Sequence, residues 1–204
     1  HGYHRFSTVS WFAEREMEAI SSWIDEKSPL DAPAFVRAKF KTAAGEPQKF
    51  AQIDFTFMPK MAIPCDFWLD DFVEIVGERG LMWINQGDGS GDRDIYRELE
   101  LSSSPLFPPI IVFVDGKVKS YLAETTMHER NWSTSFVAST RDFIEAVLHG
   151  GRARLTGEEA REIKRCTLAA YISAQERRDV SLEEITSATE ADGTHRVSKD
   201  FCNW

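Results

Sequence analysis

The residue that the sequence offers most clearly for acid–base chemistry is His4. It lies in the run His1-Gly2-Tyr3-His4-Arg5-Phe6-Ser7-Thr8-Val9-Ser10-Trp11-Phe12, which reads as a short helix with no cap before it. Tyr3, Phe6, Val9 and Ala13 fall on one stripe of that helix; His4, Thr8 and Trp11 fall on a neighbouring one. Such a helix can pack on a sheet and still hold a titratable imidazole towards a cleft. The plainer reading is a histidine packed or capping at a helix start. His1, three residues before His4, invites a metal reading, but one pair without a third ligand does not make a site.

Two further groups could bind a polar ligand. Lys60, Asp66 and Trp68 lie in the irregular, apolar-rich run 58–68. A sugar face stacks well on an aromatic ring, and Lys or Asp can bond its hydroxyls. The competing reading is a loop folded over a sheet edge. Arg130, Asn131 and Trp132 precede a long helical pattern, where free amides and a cation gather, or where an ordinary cap sits. The loop Gly87-Asp88-Gly89-Ser90-Gly91-Asp92 tempts a phosphate or calcium reading. It lacks a following Lys-Ser/Thr, and Arg93 and Leu99 stand where a calcium loop needs Gly and Glu. It reads as solvated.

The chain of 204 residues is long enough for one good core and carries a net charge of −9. Its cations are scattered, and the densest basic run, Arg152-Ala153-Arg154, is too short for a phosphate footprint. No nucleic-acid partner is expected. No membrane span or secretory segment is visible either. Cys65, Cys166 and Cys202 are odd in number and widely separated, so they form neither a disulfide framework nor a zinc site. A reduced, cytoplasmic setting is the expectation.

These residues need elements to hold them. Residues 17–25 read as a first strand. Val36, Ala38 and Phe40 alternate with Arg37, Lys39 and Lys41, and Ala51, Ile53, Phe55 and Phe57 with Gln52, Asp54 and Thr56, which predicts a hairpin with one buried face. Strands over 72–76 and 81–84 flank Gly77-Glu78-Arg79-Gly80, with both glycines expected at positive φ. Asp115-Gly116 is a type I′ signal between strands 110–114 and 117–123. The period then changes to 3.6. A helix over 133–148 carries Phe136, Val137, Thr140, Phe143, Ile144, Val147 and Leu148 on one stripe and ends at Gly150-Gly151. Thr156-Gly157-Glu158-Glu159 is a capping box opening a second helix, whose expected inner face is Ile163, Cys166, Thr167, Ala170, Tyr171 and Ala174.

Four stretches together resemble the C-terminal domain of the Gfo/Idh/MocA oxidoreductases. They are Gly2-Tyr3-His4 opening a helix, Val73 to Met82 around Gly77 and Gly80, Phe143-Ile144-Glu145-Ala146 before Gly150-Gly151, and Thr156 to Ala160 leading through Ala174 and Arg177 to Val180. The resemblance covers roughly residues 2–186 and implies an α+β fold: a large, mostly antiparallel open sheet with helices on one face, resembling dihydrodipicolinate reductase. Residues 1–186 would form this domain and 187–204 an extension.

The resemblance further implies a parent enzyme, an NAD(P)-dependent dehydrogenase transferring hydride at a secondary alcohol of a sugar or polyol. His4 would then be the catalytic residue that accepts or relays the hydroxyl proton. Lys60, Asp66, Trp68, Arg130 and Trp132 would bind substrate. The chain holds no G-x-G-x-x-G after a strand and no E-K-P lysine. The uncapped start without Met reads as a cut, with the family's motif Asp just upstream. NAD or NADP would therefore be bound by the parent and none by this chain, which alone would be inactive. The open sheet face, carrying Phe35, Arg37 and Lys39, would join subunits in a homo-oligomer. The alternatives are a non-catalytic assembly or scaffold module using that face and, less supported, a stand-alone small-molecule binder.

Overall fold

The alternating runs become strands, and each buries the face that its period selects. The computed structural model of the chain describes residues 2–25, 33–56, 71–86, 110–121 and 132–185. In order these form α1 (Gly2–Ala13), β1 (Met17–Ile24), β2 (Ala34–Phe40), β3 (Phe50–Phe55), β4 (Asp71–Gly77), β5 (Gly80–Gln86), β6 (Ile110–Val114), β7 (Lys117–Tyr121), α2 (Trp132–His149), α3 (Gly157–Glu176), β8 (Val180–Ser181) and a 3₁₀ turn, Leu182–Glu184. The fold class is the expected α+β with antiparallel open sheets. Its described strands are shared between two four-stranded sheets. The chain divides into two compact units, one of His1–Lys60 with Leu155–Trp204 and the other of Met61–Arg154. The expected 187–204 extension lies outside the described residues.

In the first unit the sheet order is β3-β2-β1-β8, antiparallel throughout. β2 buries Ala34, Val36, Ala38 and Phe40 and exposes Phe35 and Arg37, as alternation demands. Phe6 of α1 joins Ile20, Val36, Phe40 and Ile53 of the sheet and Cys166, Ala169 and Ile172 of α3 in the core. Trp23 stands across from Phe35 on the outer face, with the Arg37 guanidinium 5.5 Å from the Trp23 ring centre.

The inner face of α3 is rotated from the expected one. Cys166, Ala169, Ala170, Ile172 and Ser173 are buried, whereas Thr167, Tyr171 and Ala174 are only half-buried. Reading apolarity alone misplaced the stripe, because a buried serine hydroxyl is wanted there. β8 pairs with β1 only at Ala19 and Ile20. Beyond it the Ser22 N–H donates to Ser173 Oγ at 2.9 Å, and Ser173 Oγ donates in turn to the Arg178 carbonyl at 2.6 Å. The Ser22 hydroxyl donates to the Ala170 carbonyl. Both serines are buried, so these bonds satisfy groups that water does not reach.

The capping box forms as read: Glu159 N–H donates to Thr156 Oγ1 at 3.3 Å, and Thr156 N–H to the Glu159 carboxylate at 2.8 Å. Thr156→Ala is expected to lower stability by about 1 kcal/mol, measured as a shift in the urea midpoint at unchanged slope. At the other end Arg177 caps α3 with φ 55°. Arg178 clamps Glu176 and Glu184 at 2.6 and 2.7 Å, tying the helix end to the 3₁₀ turn. The same guanidinium holds the Glu184 carboxyl below its ordinary range.

The second unit is a meander, β4-β5-β6-β7. Asp115 and Gly116 both have positive φ, 50° and 71°, in keeping with the expected type I′ turn. Of the two glycines around Glu78-Arg79, only Gly80 has a positive φ, 157°; Gly77 does not. The expectation for Gly77 was therefore too strong. Gly80 is required for another reason, since its Cα lies against the β6 backbone at Phe113 and Val114. On one face Trp83 packs edge-on against Phe113, ring centres 4.9 Å apart, and donates its Nε1–H to Glu74 at 2.7 Å. α2 spans the expected residues, but its apolar stripe is not buried: Phe136, Phe143, Val147 and Leu148 are all more than half exposed.

Candidate functional site

α1 positions His4 by packing Phe6, Val9 and Ala13 of the other stripe inwards, although Tyr3, expected on that stripe, is exposed. Phe6 is 2% exposed, with Val9 and Ala13 packed beside it, while Tyr3, His4 and Trp11 stay exposed. The helix ends at Glu14, which adopts φ 52° and donates its N–H to the Ser10 carbonyl. Lys49 Nζ bonds the Ala13 carbonyl at 3.0 Å, satisfying a terminal acceptor and complementing the helix dipole. Near the start, a Cβ on Gly2 would stand 3.6 Å from the Phe55 ring, so the helix N-terminus is seated beside the end of β3. The Tyr3 ring lies 4.1 Å from that of His4, centre to centre, and the His4 carbonyl accepts a bond from the Thr8 hydroxyl at 2.9 Å. An exposed imidazole on a helix so anchored can exchange protons with a ligand or with water.

Of the other expected site residues, Lys60, Asp66, Trp68 and Arg130 lie outside the described residues. Trp132 is the first residue of α2. His4 and Trp132 belong to different compact units.

The first unit also holds a polar groove that the sequence did not flag. It is a cavity of about 250 Å³ lined by Glu16, Met17, Glu18, Lys41, Glu162, Arg165, Leu182 and Glu183. Lys41 meets Glu16 at 2.7 Å, and Arg165 meets Glu162 at 2.7 Å while donating Nε–H to the Ile185 carbonyl at 3.0 Å. Lys39, just outside, pairs with Glu18 at 2.6 Å. The hydrogen bond and charge of Lys41 hold the Glu16 carboxyl below its ordinary range, and Glu16 raises Lys41 in return. Neither group is thereby brought towards neutrality, so the groove is a lattice of ion pairs and not an acid–base centre. The only sequence signal was the alternation of Glu16 and Glu18 around Met17, which any half-exposed strand would show.

Cys166 is buried against the sheet, and burial pushes its thiol up to about 12 from an ordinary 9.0. It is a core side chain and not a nucleophile, as its place on the apolar helix face implied. The folded state keeps a proton that the unfolded chain loses first. This contribution to stability is therefore intact below pH 9.0 and falls as pH rises from there towards 12. At pH 8 a disulfide reagent should leave Cys166 unlabelled in the native chain and label it in urea. Peptide mapping of the labelled cysteine checks this; prompt native labelling would show the burial to be wrong.

Among the described residues no group of histidine, cysteine and carboxylate side chains is placed to hold a metal. No helix there is long and apolar enough to cross a membrane. No strand among them passes through a glycine-rich turn into a helix, the arrangement that receives a dinucleotide pyrophosphate.

An open antiparallel sheet with a helical layer and a histidine at an exposed helix start defines a class of α+β domain. Its relatives are found by shape and not by sequence. No protein-family model matches the sequence, and no curated protein does. Among solved structures, an oxidoreductase from Agrobacterium radiobacter in complex with NAD+, L-tartaric acid and magnesium matches with a TM-score of 0.62 at 12% identity. The match covers 91% of this chain and 48% of that one. A probable dehydrogenase from Thermotoga maritima matches at 0.57 and 20% identity, over 90% and 48% of the two chains. Scyllo-inositol dehydrogenase from Lactobacillus casei, with NAD(H) and scyllo-inositol bound, matches at 0.50 and 10% identity, over 89% and 47%. At these identities the likeness is one of fold. This chain has the fold of one part of Gfo/Idh/MocA-type oxidoreductases, consistent with their C-terminal domain. It spans about half the length of the solved structures it matches.

Proposed function

We propose that this chain is the substrate-binding and assembly domain of an NAD(P)-dependent dehydrogenase acting on a sugar or polyol, and that it does not turn over by itself. The observation that carries the reading is its likeness, over nearly all its length, to about half of an oxidoreductase solved with NAD+ and a hydroxy acid. His4 handles the proton of the substrate hydroxyl, work to which an imidazole is suited. Lys60, Asp66, Trp68, Arg130 and Trp132 are the proposed substrate contacts. The dinucleotide belongs to another domain of the parent enzyme. Three cysteines without a C-x-x-C pair favour the cytoplasm as its compartment.

Two titrations of the chain test this. Nicotinamide fluorescence should show no saturable dinucleotide binding. Adding an inositol or aldose should move the His4 ring resonances in a saturable way. Clear dinucleotide binding overturns the division of labour, and unmoved His4 resonances overturn its role.

A second reading, a non-catalytic assembly module, is favoured by the outer face of the first sheet. Trp23 is 56% and Phe35 43% exposed there, beside Arg37. Such a mixed aromatic and charged face fits an interface between subunits. Association that is lost on Trp23→Ala, without any polyol response at His4, would favour this reading over the first.

A further inference from the structure

β3 is an outer strand of the first sheet, and among the described residues no strand pairs with its far side. The Phe40 N–H donates to the Lys49 carbonyl at 3.2 Å, in the register that also pairs Ala38 with Ala51 and Val36 with Ile53. Alternate residues of an antiparallel strand turn their backbone groups to opposite sides. The N–H and C=O groups of Phe50, Gln52 and Asp54 therefore point away from β2, along the edge with which no described strand pairs. Of the three other outer strands, β8 and β7 carry devices that discourage pairing, and β4 carries Asp71 and Glu74 and ends at Gly77. β8 is two residues long, and β7 carries Lys117 and Lys119. β3 runs six residues without Lys, Arg, Pro or Gly.

The strand is also complementary to itself. We propose that β3 is where two copies of this chain join, edge to edge and antiparallel, about a twofold axis at Ile53. In that register Gln52 of each copy faces Asp54 of the other, and these pairs exchange backbone hydrogen bonds. The Gln52 amide already bonds the Asp54 carboxylate of its own chain at 3.0 and 3.1 Å. Across the axis the same two groups meet again, donor to acceptor. On the core face Ile53 meets its mate, and the small Ala51 leaves room for the second copy's Phe55. The register centred on Gln52 is poorer, because it sets the Phe50 ring against a carboxylate. A shift by a single residue would turn the core side chains to the solvent face. This surface is the edge of the sheet, distinct from the broad face that carries Trp23 and Phe35.

Opposite substitutions at one exposed position test it. Gln52→Lys sets a cation against Asp54 in both symmetric pairs, and Gln52→Glu sets a carboxylate there. Sedimentation equilibrium of the full chain over micromolar concentrations should show a dimer. Its Kd should fall about tenfold in the Lys variant and rise about tenfold in the Glu variant. Circular dichroism confirms that both are folded, and hydrogen exchange at the Gln52 and Asp54 amides should slow as the dimer fills. A monomer throughout, no response to either variant, or the same response to both overturns the proposal. So does association that answers to Trp23→Ala alone.

Discussion

Gly80→Ala should cost about 2–6 kcal/mol, the sum of backbone strain and forced overpacking. Gly80 has φ 157°, and a Cβ there would lie 1.8 Å from the Phe113 carbonyl oxygen and 2.9 Å from its carbon. Those atoms are backbone of β6 and cannot swing away as a side-chain tip can. Gly80 is also the residue that pairs with Val114. The Arg79 carbonyl beside it accepts from Asp115 N–H at 3.3 Å, and the Arg79 guanidinium pairs with the Asp115 carboxylate. Relief of the clash must therefore open the β5–β6 ladder at the point where its two turns lock together. Hydrogen exchange should report lost protection in β5 and β6 while the first unit keeps its own. Gly77→Ala is the control: the nearest atom to its added Cβ is the Gly80 carbonyl at 3.9 Å, so a small change is expected. Equal effects of the two substitutions would refute this account of the turn.

Ser173→Ala should destabilise the first unit by about 1–3 kcal/mol, the range for stranding a buried hydrogen-bonding group. The hydroxyl takes the Ser22 N–H, which the two-residue β8 is too short to reach, and passes its own proton to the Arg178 carbonyl. Alanine keeps the close approach of helix to strand and removes both bonds. Ser173→Cys keeps the volume but donates and accepts weakly, so it should fall between the two. Urea unfolding followed by tryptophan fluorescence reads the series. If alanine and cysteine are both neutral, water or another group serves the Ser22 amide, and the serine is only a small core residue.

The two substitutions mark what kind of information each level held. The glycine was visible in the sequence, but its reason was not. A positive φ is a local property that composition can announce, whereas an approach to the Phe113 carbonyl depends on how two hairpins register. Ser173 was invisible as a core residue because polarity was taken to point outwards. Only the length of β8 reveals that a buried amide on β1 needs a hydroxyl.

The candidate site divides in the same way. His4 on a helix that packs Phe6, Val9 and Ala13 inwards was legible, because helical period alone separates these residues from His4 and Trp11. The ion-paired groove around Glu16, Lys41, Glu162 and Arg165 was not, since its members come from the residue before β1, the residue after β2, and α3.

By itself, then, the sequence determined β1 to β7, the Asp115-Gly116 turn with its positive φ angles, the positive φ of Gly80, the two long helices and the capping box. All of these rest on period and on interactions within a few residues. It also determined the antiparallel α+β class, because hairpin signals join neighbours in the chain. The tertiary structure alone decided that the described strands form two sheets, that α3 turns Ala169 and Ser173 inwards, and that the stripe of α2 stays open. Those outcomes depend on which surfaces meet across long stretches of chain. A periodic pattern states that a face is apolar, and not what will cover it.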